Sequence, residues 1–530
     1  SVKANFNAVN NSFKFSLLLP NIKYDNIQVS GITANANGVK DLGSVIINVR
    51  ETTVGDLMIP SISLNNKLHK DTINFETSVS SITDIFSALN INGEFYIIDN
   101  QFQIQLDSSD LKIAEEKWQI ASNNYIKFGS NFVNTNNFTL QSEEKTIALN
   151  SIGNRGIQLD IENLPLNWLD RFFTIPFLNF DGLVNATTIT KDLFNIANDS
   201  ITTKIFVDSF YINEDYFGEL NIDAATAKLR KPLQFDLDLN KTIINDENKP
   251  EQQSLNVVGK YILPIDKTDN SFFNKPNSFN FRAKAKNLPF NVAEYFVQGI
   301  SGTKGKVAAD LIFTGSIDNP KAKGNLRLTE AGTRIDYLQT YYRLDDVNVT
   351  AKDNFFDFSG TELLDKFGNI AYIDGGIKHK KLKDFELDLK ISSNQFVLID
   401  TEKKDNELFY GRGIGAATVE FSGPLAEANI NINATTSGDS WMNIPLTTSS
   451  SAKAANFIEF INPKDTAKND KQVNFFGANL KLELNVTPQA EISLIFDESV
   501  GDIMRARGKG NLAINVTNKG EFTMFGTYGV

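Results

Sequence analysis

Residues 481–525 read KLELNVTPQAEISLIFDESVGDIMRARGKGNLAINVTNKGEFTMF. Leu482, Leu484 and Val486 alternate with Lys481, Glu483 and Asn485. Past the Thr487-Pro488 break, Ile492, Leu494 and Phe496 alternate with Glu491, Ser493 and, less cleanly, Ile495. Past Gly508 and Gly510, Leu512, Ile514 and Val516 alternate with Asn511, Ala513 and Asn515, and Phe522 and Met524 resume the pattern after Lys519-Gly520. Successive side chains of a strand point to opposite faces, so a period of two gathers the apolar residues on one side. Turn-forming residues recur at roughly ten-residue intervals and bound the strands. The unit is a short antiparallel strand, oily on one face and wet on the other.

The same unit runs back to the first residues. Phe13, Phe15 and Leu17 alternate with Lys14 and Ser16; Phe102, Ile104 and Leu106 with glutamines; Phe235, Leu237 and Leu239 with Gln234, Asp236 and Asp238. Phe385, Leu387, Leu389 and Ile391 alternate with Glu386, Asp388 and Lys390, and Ile430 and Ile432 with Asn429, Asn431 and Asn433. Helical spacing is sparse. It occurs in 81–89 and after two copies of one phrase: Asn163-Leu164-Pro165-Leu166 leads into 167–173, and Asn287-Leu288-Pro289-Phe290 into 291–297. Gly182 and Gly305 then open a new strand in each copy. The sequence predicts an internal repeat of strands, a short helical plug, and strands again. Polar stretches 245–254, 266–278 and 447–472 read as loops leaving a sheet edge.

The chain has 530 residues, 41% of them apolar and 41 of them Phe, which is ample material for a core. A net charge of −12 argues against nucleic acid as a partner. With no cysteine, and with His69 and His379 far apart, neither a thiolate site nor a His-based metal site is expected, and no cofactor is. No apolar run is long enough to cross a membrane as a helix. Ser1 leads straight into a strand-like segment, so any signal or anchor is expected outside these residues.

Each strand must hide one face. A sandwich, a closed barrel or a long sheet curled around its apolar side would all do so. End-to-end alternation with no new pattern favours the elongated, curled sheet: an all-β fold with an apolar interior and a few short helices. At about 40–45 strands stacked some 4.8 Å apart, the sheet would run on the order of 150–200 Å. An apolar groove of that length calls for apolar guests. At about 0.8 kcal/mol per methylene, two 16-carbon acyl chains gain roughly 25 kcal/mol from such a groove.

The stretch from Asn456-Phe457-Ile458-Glu459-Phe460 through Leu482, Thr487-Pro488, Gly501-Asp502, Gly508-Lys509-Gly510 and the closing Phe522-Thr523-Met524-Phe525-Gly526-Thr527-Tyr528 resembles the TamB C-terminal domain of the AsmA-like periplasmic proteins. Gly368-Asn369-Ile370-Ala371, Gly375-Gly376-Ile377 and Tyr410-Gly411-Arg412-Gly413 are similar to its form in Bacteroidota. The resemblance is specific over about 310–528, which sets a division into upstream groove repeats (1–309) and a TamB-like region (310–530) with no clean linker. It implies an open-groove, β-taco fold and a periplasmic place between an inner-membrane anchor outside these residues and the outer membrane. It also implies an outer-membrane partner of the TamA barrel type, and a non-enzymatic role in moving phospholipid or helping barrel proteins insert. In the family the chain continues for a further strand or more, so the barrel-facing part is expected to be incomplete.

On this reading Phe235, Leu237, Leu239, Phe385, Leu387, Leu389, Ile430, Ile432, Leu482, Leu484, Val486, Ile492, Leu494, Phe496, Leu512 and Ile514 line the groove for acyl chains. Phe522, Met524 and Tyr528 mark the edge offered to a partner. The bland alternative for the apolar stripe is an ordinary sandwich core. Gly411, Gly413 and Gly415 suggest a phosphate loop but lack the strand-turn-helix context, so a turn is the better reading. Asp497, Glu498 and Asp502 read as a solvated turn rather than a calcium site. Asp345, Asp346, Asp384, Glu386 and Asp388 read as an outer polar face rather than an acid–base pair. Arg505, Arg507 and Lys509 form a small basic cluster, a possible headgroup or partner contact. A strand-adding assembly factor and a glycan-active extracellular β-solenoid remain as other function classes, the second lacking the clustered carboxylates it would need.

Overall fold

The computed structural model describes the chain apart from residues 25–26, 55–56, 60, 81–87, 99–100, 108–110, 114–115, 172–177, 196–197, 228–231, 246, 263–277, 298, 317–318, 337, 406–408, 446–477, 498–499, 519–520 and 530. It is 79% strand and 3% helical, so the chain is all-β, built of large curled antiparallel sheets. Two compact units emerge: Ser1–Thr242 with Val258–Pro276, and Ile243–Val257 with Asn277–Val530.

In the first unit, the registers turn the alternation of each strand into rows across the sheet. Leu17 pairs with Ala34, Ala34 with Ile47, Ile47 with Leu64, Leu64 with Thr77, and Thr77 with Ile91. Directly opposed residues share a face, so these rows make one continuous apolar surface. Ser16, Asn35, Asn48, Ser63 and Glu76 occupy the other. Further along, Ile205 pairs with Ile222 and Ile222 with Leu237, while Val207 pairs with Leu220 and Leu220 with Leu239. Val207 and Leu239 are buried there.

The repeated phrase is visible as structure. Asn163 and Asn287 both take positive φ, each at a register shift in its strand. A short helix follows each: Leu166–Arg171 and Phe290–Tyr295. Both are 3₁₀ turns, as expected of one-turn plugs. Trp168 of the first meets Trp118 edge-on at 6.2 Å, and Phe290 of the second packs on the core around Tyr342. Gly182 (φ 140°) and Gly305 (φ 107°) do not open the next strands but lie inside them, in Phe180–Thr190 and Ile300–Ser316, each at a register shift. A Cβ at Gly182 would stand 2.7 Å from Val207, and one at Gly305 2.5 Å from the Ala331 backbone, so glycine is required at both.

The second unit has inner rows of the same kind. One passes through Ile373, Ile391, Val419, Ile432, Leu482, Ile514 and Met524. Here the expectation of uniformly short antiparallel hairpins is corrected. Strand Asn479–Val486 does not pair back on Glu491–Asp497. The Thr487-Pro488 break is a corner, and so is Gly508 between Asp502–Arg507 and Lys509–Val516. The chain passes at each corner from one arm of a bent sheet to the other. Two pairs are parallel: Asn429–Thr436 with Asn479–Val486, and Trp441–Pro445 with Glu491–Asp497. A parallel pair cannot be joined by a tight turn, so the chain returns through 446–478.

Other expectations also change. Residues 81–87 of the expected helix, and the expected loops at 266–277 and 447–472, lie outside the described residues, while Ala88 and Leu89 already belong to strand Ala88–Ile98. The polar stretch 245–254 runs into strand Pro250–Tyr261. Gly411, Gly413 and Gly415 are neither a phosphate loop nor a turn. All three lie inside strand Tyr410–Pro424, where a Cβ on Gly415 would come within 1.9 Å of the Thr435 carbonyl.

Candidate functional site: an apolar interior closed by a polar corner

The inner face of the second unit packs on itself. Ile430, Ile432, Leu480, Ile514 and Val516 are buried together, with Leu387, Leu482, Leu484 and Met524 against them. Val486 and Ile492 form an adjoining cluster that takes in Leu494, Leu512, Met524 and Tyr528. Leu389 packs on a third, around Tyr342 and Phe396. Phe385 stands beside His379 at 6.3 Å. Phe235, Leu237 and Leu239 belong to the other unit.

Phe496 departs from the expected stripe. It is 43% exposed and lies where the register shifts, between Ile495 and Asp497. Such a bulge re-aims the side chains beside it. At the last strand, Met524 and Tyr528 turn into the interior, and Phe525, 65% exposed, faces outward. The side chain of Phe522 lies outside what is described.

Between the two arms lies a cavity of ≈ 100 Å³ with almost wholly apolar walls, among them Phe409, Ile432, Leu482, Leu484, Ile492 and Leu512. Small-molecule sites usually measure about 300–1,000 Å³, so this space holds only a fragment of an acyl chain. Arg412 and Trp441 stand on its rim. Arg412 donates to Asp400 at 3.0 Å and lies over the Phe367 ring at 5.3 Å; Lys366 pairs with the same Asp400. Burial first, and the Arg412 charge second, push the Lys366 ammonium below its usual range.

In the first unit the same inner face is less covered. Phe6 pairs with Phe13, and Ile97 with Phe102. Phe6 is 69% exposed and Phe13 42%, with Ile97 and Phe102 also exposed. Large apolar side chains so arrayed mark a surface that takes an apolar partner.

The sequence reading missed the polar side chains that hold the corner of the second unit. Bending a strand frees backbone groups that must find other partners. Asp365 has no exposure, and its carboxyl oxygens accept from Phe367 N (2.8 Å), Asn369 N (2.9 Å), Asn369 Nδ2 (2.7 Å) and Val397 N (2.9 Å). Tyr342 donates its hydroxyl to Leu398 O at 2.9 Å, and burial pushes that hydroxyl far up. Ser440 Oγ accepts from Ile414 N (3.0 Å) and donates to Ile414 O (2.7 Å). Thr436 Oγ1 accepts from Thr487 N at 2.8 Å, and Tyr528 donates to Ala506 O at 3.1 Å. The signal available was modest: Asp365-Lys366-Phe367-Gly368-Asn369 reads as an Asp-initiated turn.

The remaining candidates resolve into surface pairs. Asp346 accepts from Arg327 at 2.7 Å, Glu386 pairs with Lys380 at 3.1 Å, and Asp388 pairs with Lys378. Lys352, and after it Ser359, holds the Asp357 carboxyl down to about 2. Arg507 reaches Glu491 at 3.5 Å, and Arg505 and Lys509 are exposed. Asp497 and Glu498 are outside the described side chains. No group of acidic or histidine residues is spaced to hold a metal among the described residues. No described helix is long and apolar enough to cross a membrane.

In the second unit a one-faced sheet bends at a polar corner around an apolar interior. Residues 361–530 match the TamB C-terminal domain family, whose members are periplasmic and membrane-associated. The comparisons with curated proteins and with solved structures found no match. The matched span contains Asp365, most of the cavity wall and the last strand.

Proposed function

We propose that this protein is a non-enzymatic carrier in the periplasm whose apolar inner face shelters phospholipid acyl chains between the inner and outer membranes, in company with an outer-membrane barrel of the TamA type. The observation that carries the reading is the unbroken apolar face across the strands of the first unit, with Phe6, Phe13, Ile97 and Phe102 left uncovered. A sheet face of that kind in water gains roughly 25 cal/mol per Å² from an apolar cover. The TamB domain supports the setting. A photo-crosslinking amino acid at Leu17 or Leu237 is expected to capture phospholipid in cells, and one at Ser16 or Asp236, on the opposite face, is not. Equal capture from both faces would remove the proposal.

A second reading rests on a different feature. Strand Phe522–Gly529 pairs with Lys509–Val516, and its other edge carries no pairing among the described residues. An open edge is a template for strand addition. Under this reading the protein hands a strand to, or receives one from, a barrel partner. Deleting 522–529 would then abolish co-purification of the barrel; retention of the complex would show that this edge does not make it.

A further inference from the structure

The outer face of the second unit is also hollowed. An open trough of ≈ 1170 Å³ crosses the matched domain on the side away from the apolar interior. Its floor is a single row of directly paired residues: Tyr372 with Ser392, Ser392 with Thr418, Thr418 with Asn433, Asn433 with Glu483, Glu483 with Ala513, and Ala513 with Phe525. A parallel row holds Thr435, Asn485, Asn511 and Thr527. Six strand spacings make the first row roughly 29 Å long. An aromatic ring stands at each end, Tyr372 at 53% exposure and Phe525 at 65%.

We infer that this trough binds a linear, uncharged glycan strand. The floor offers amides and hydroxyls, which donate and accept as sugar hydroxyls require. No side-chain hydrogen bond joins Asn433, Asn485 or Asn511 to another described residue, so these amides are open to a ligand. The exposed rings at the two ends are of the side-chain type that stacks on the C–H faces of pyranose rings, and they stand about six strand spacings apart, the reach of a hexasaccharide.

Other occupants fit less well. The one carboxylate in the floor row, Glu483, is paired with Lys481 at 2.9 Å, so the trough has no net charge to draw a polyanion. Its floor mixes Ala513 and Leu512 with Ser392, Thr418, Asn433 and Asn485, so an acyl chain meets no continuous apolar track. A polypeptide strand would bind through main-chain hydrogen bonds, but those of a sheet lie in its plane and are available at an edge, not on a face. The comparable hollow of ≈ 480 Å³ in the first unit is different: it is lined by Asp160, Glu162, Asp223 and Lys204, with Lys204 paired to Asp223.

The test is calorimetric titration of the 530-residue chain with the hexamer and dimer of β-1,4-linked N-acetylglucosamine, with cellohexaose, and with an extended threonine–valine octapeptide. We expect the hexamer to bind at least tenfold more tightly than the dimer. Tyr372→Ala and Phe525→Ala are each expected to weaken it about tenfold. Both side chains are exposed, so the thermal midpoint should stay in place, which separates lost binding from lost folding. Three results would overturn the inference: no binding of either hexasaccharide at millimolar concentration, hexamer binding unchanged in both variants, or displacement of the hexamer by the octapeptide at equal concentration. None of these readings depends on whether the apolar face carries lipid.

Discussion

Asp365→Ala is expected to lower the stability of the second unit by about 3–5 kcal/mol, more than any other single removal of a polar group in it. The side chain is fully buried and accepts from four donors, three of them on the loop that follows it and one, Val397 N, on a strand more than thirty residues away. Alanine leaves these donors inside without acceptors. It also releases the link between the bend at 365–369 and the strand Lys383–Thr401, so the corner loses its anchor at one end. Urea unfolding followed by Trp441 fluorescence reads the effect, since Trp441 stands on the rim of the cavity in the same unit. Asp365→Asn, which keeps one acceptor oxygen, should recover part of the loss. If the alanine variant unfolds at the wild-type urea concentration, the corner is not held in this way.

Ile430→Asp is the second large effect. Ile430 is 1% exposed and sits in an inner row between Phe421 and Leu480. A carboxylate there has no cation to meet and costs on the order of 4 kcal/mol or more at neutral pH. Ile430→Val, which only removes a methylene, should cost about 1 kcal/mol. The aspartate variant carries its own internal check. Burial would raise the carboxyl pKa in the folded state above its unfolded value, so the penalty is present at high pH and shrinks as pH falls toward that unfolded value. The stability gap between variant and wild type should therefore narrow from pH 7 to pH 4. A gap that is constant with pH would mean that the position opens to water.

Much of the fold could be read from residue order because its dominant signal has a period of two. Leu482, Leu484 and Val486 lie on the inner face as their spacing requires, and so do Leu237 and Leu239. The plugs at Leu166 and Phe290 could be read because a phrase recurs with its glycine. The corners could not. Thr487-Pro488 and Gly508 have the composition of hairpin turns, and only the pairing partners show that the chain bends there and continues. Alternation predicts Phe496 inside, whereas it sits at a register shift and is exposed. Asp365 was passed over because an aspartate before Gly-Asn looks like any exposed turn, and its burial comes from Val397, which is distant in sequence. The outer trough is a property of registers: Tyr372, Asn433 and Phe525 become one row only when six pairings are known.

The parallel pairs bear on how the second unit assembles. From Ser278 to Thr436 most neighbouring strands are also neighbours in the chain, so each can add to the last by a short turn, like a zip closing. Asn429 must instead find Asn479, and Trp441 must find Glu491, each fifty residues on, before the final strands have anything to dock against. Ring closure across so many residues costs entropy before any contact offsets it, and it slows the search. The strands from Asn479 onward therefore order late, and an early folding species would expose Asn429–Thr436 and Trp441–Pro445 as its provisional border.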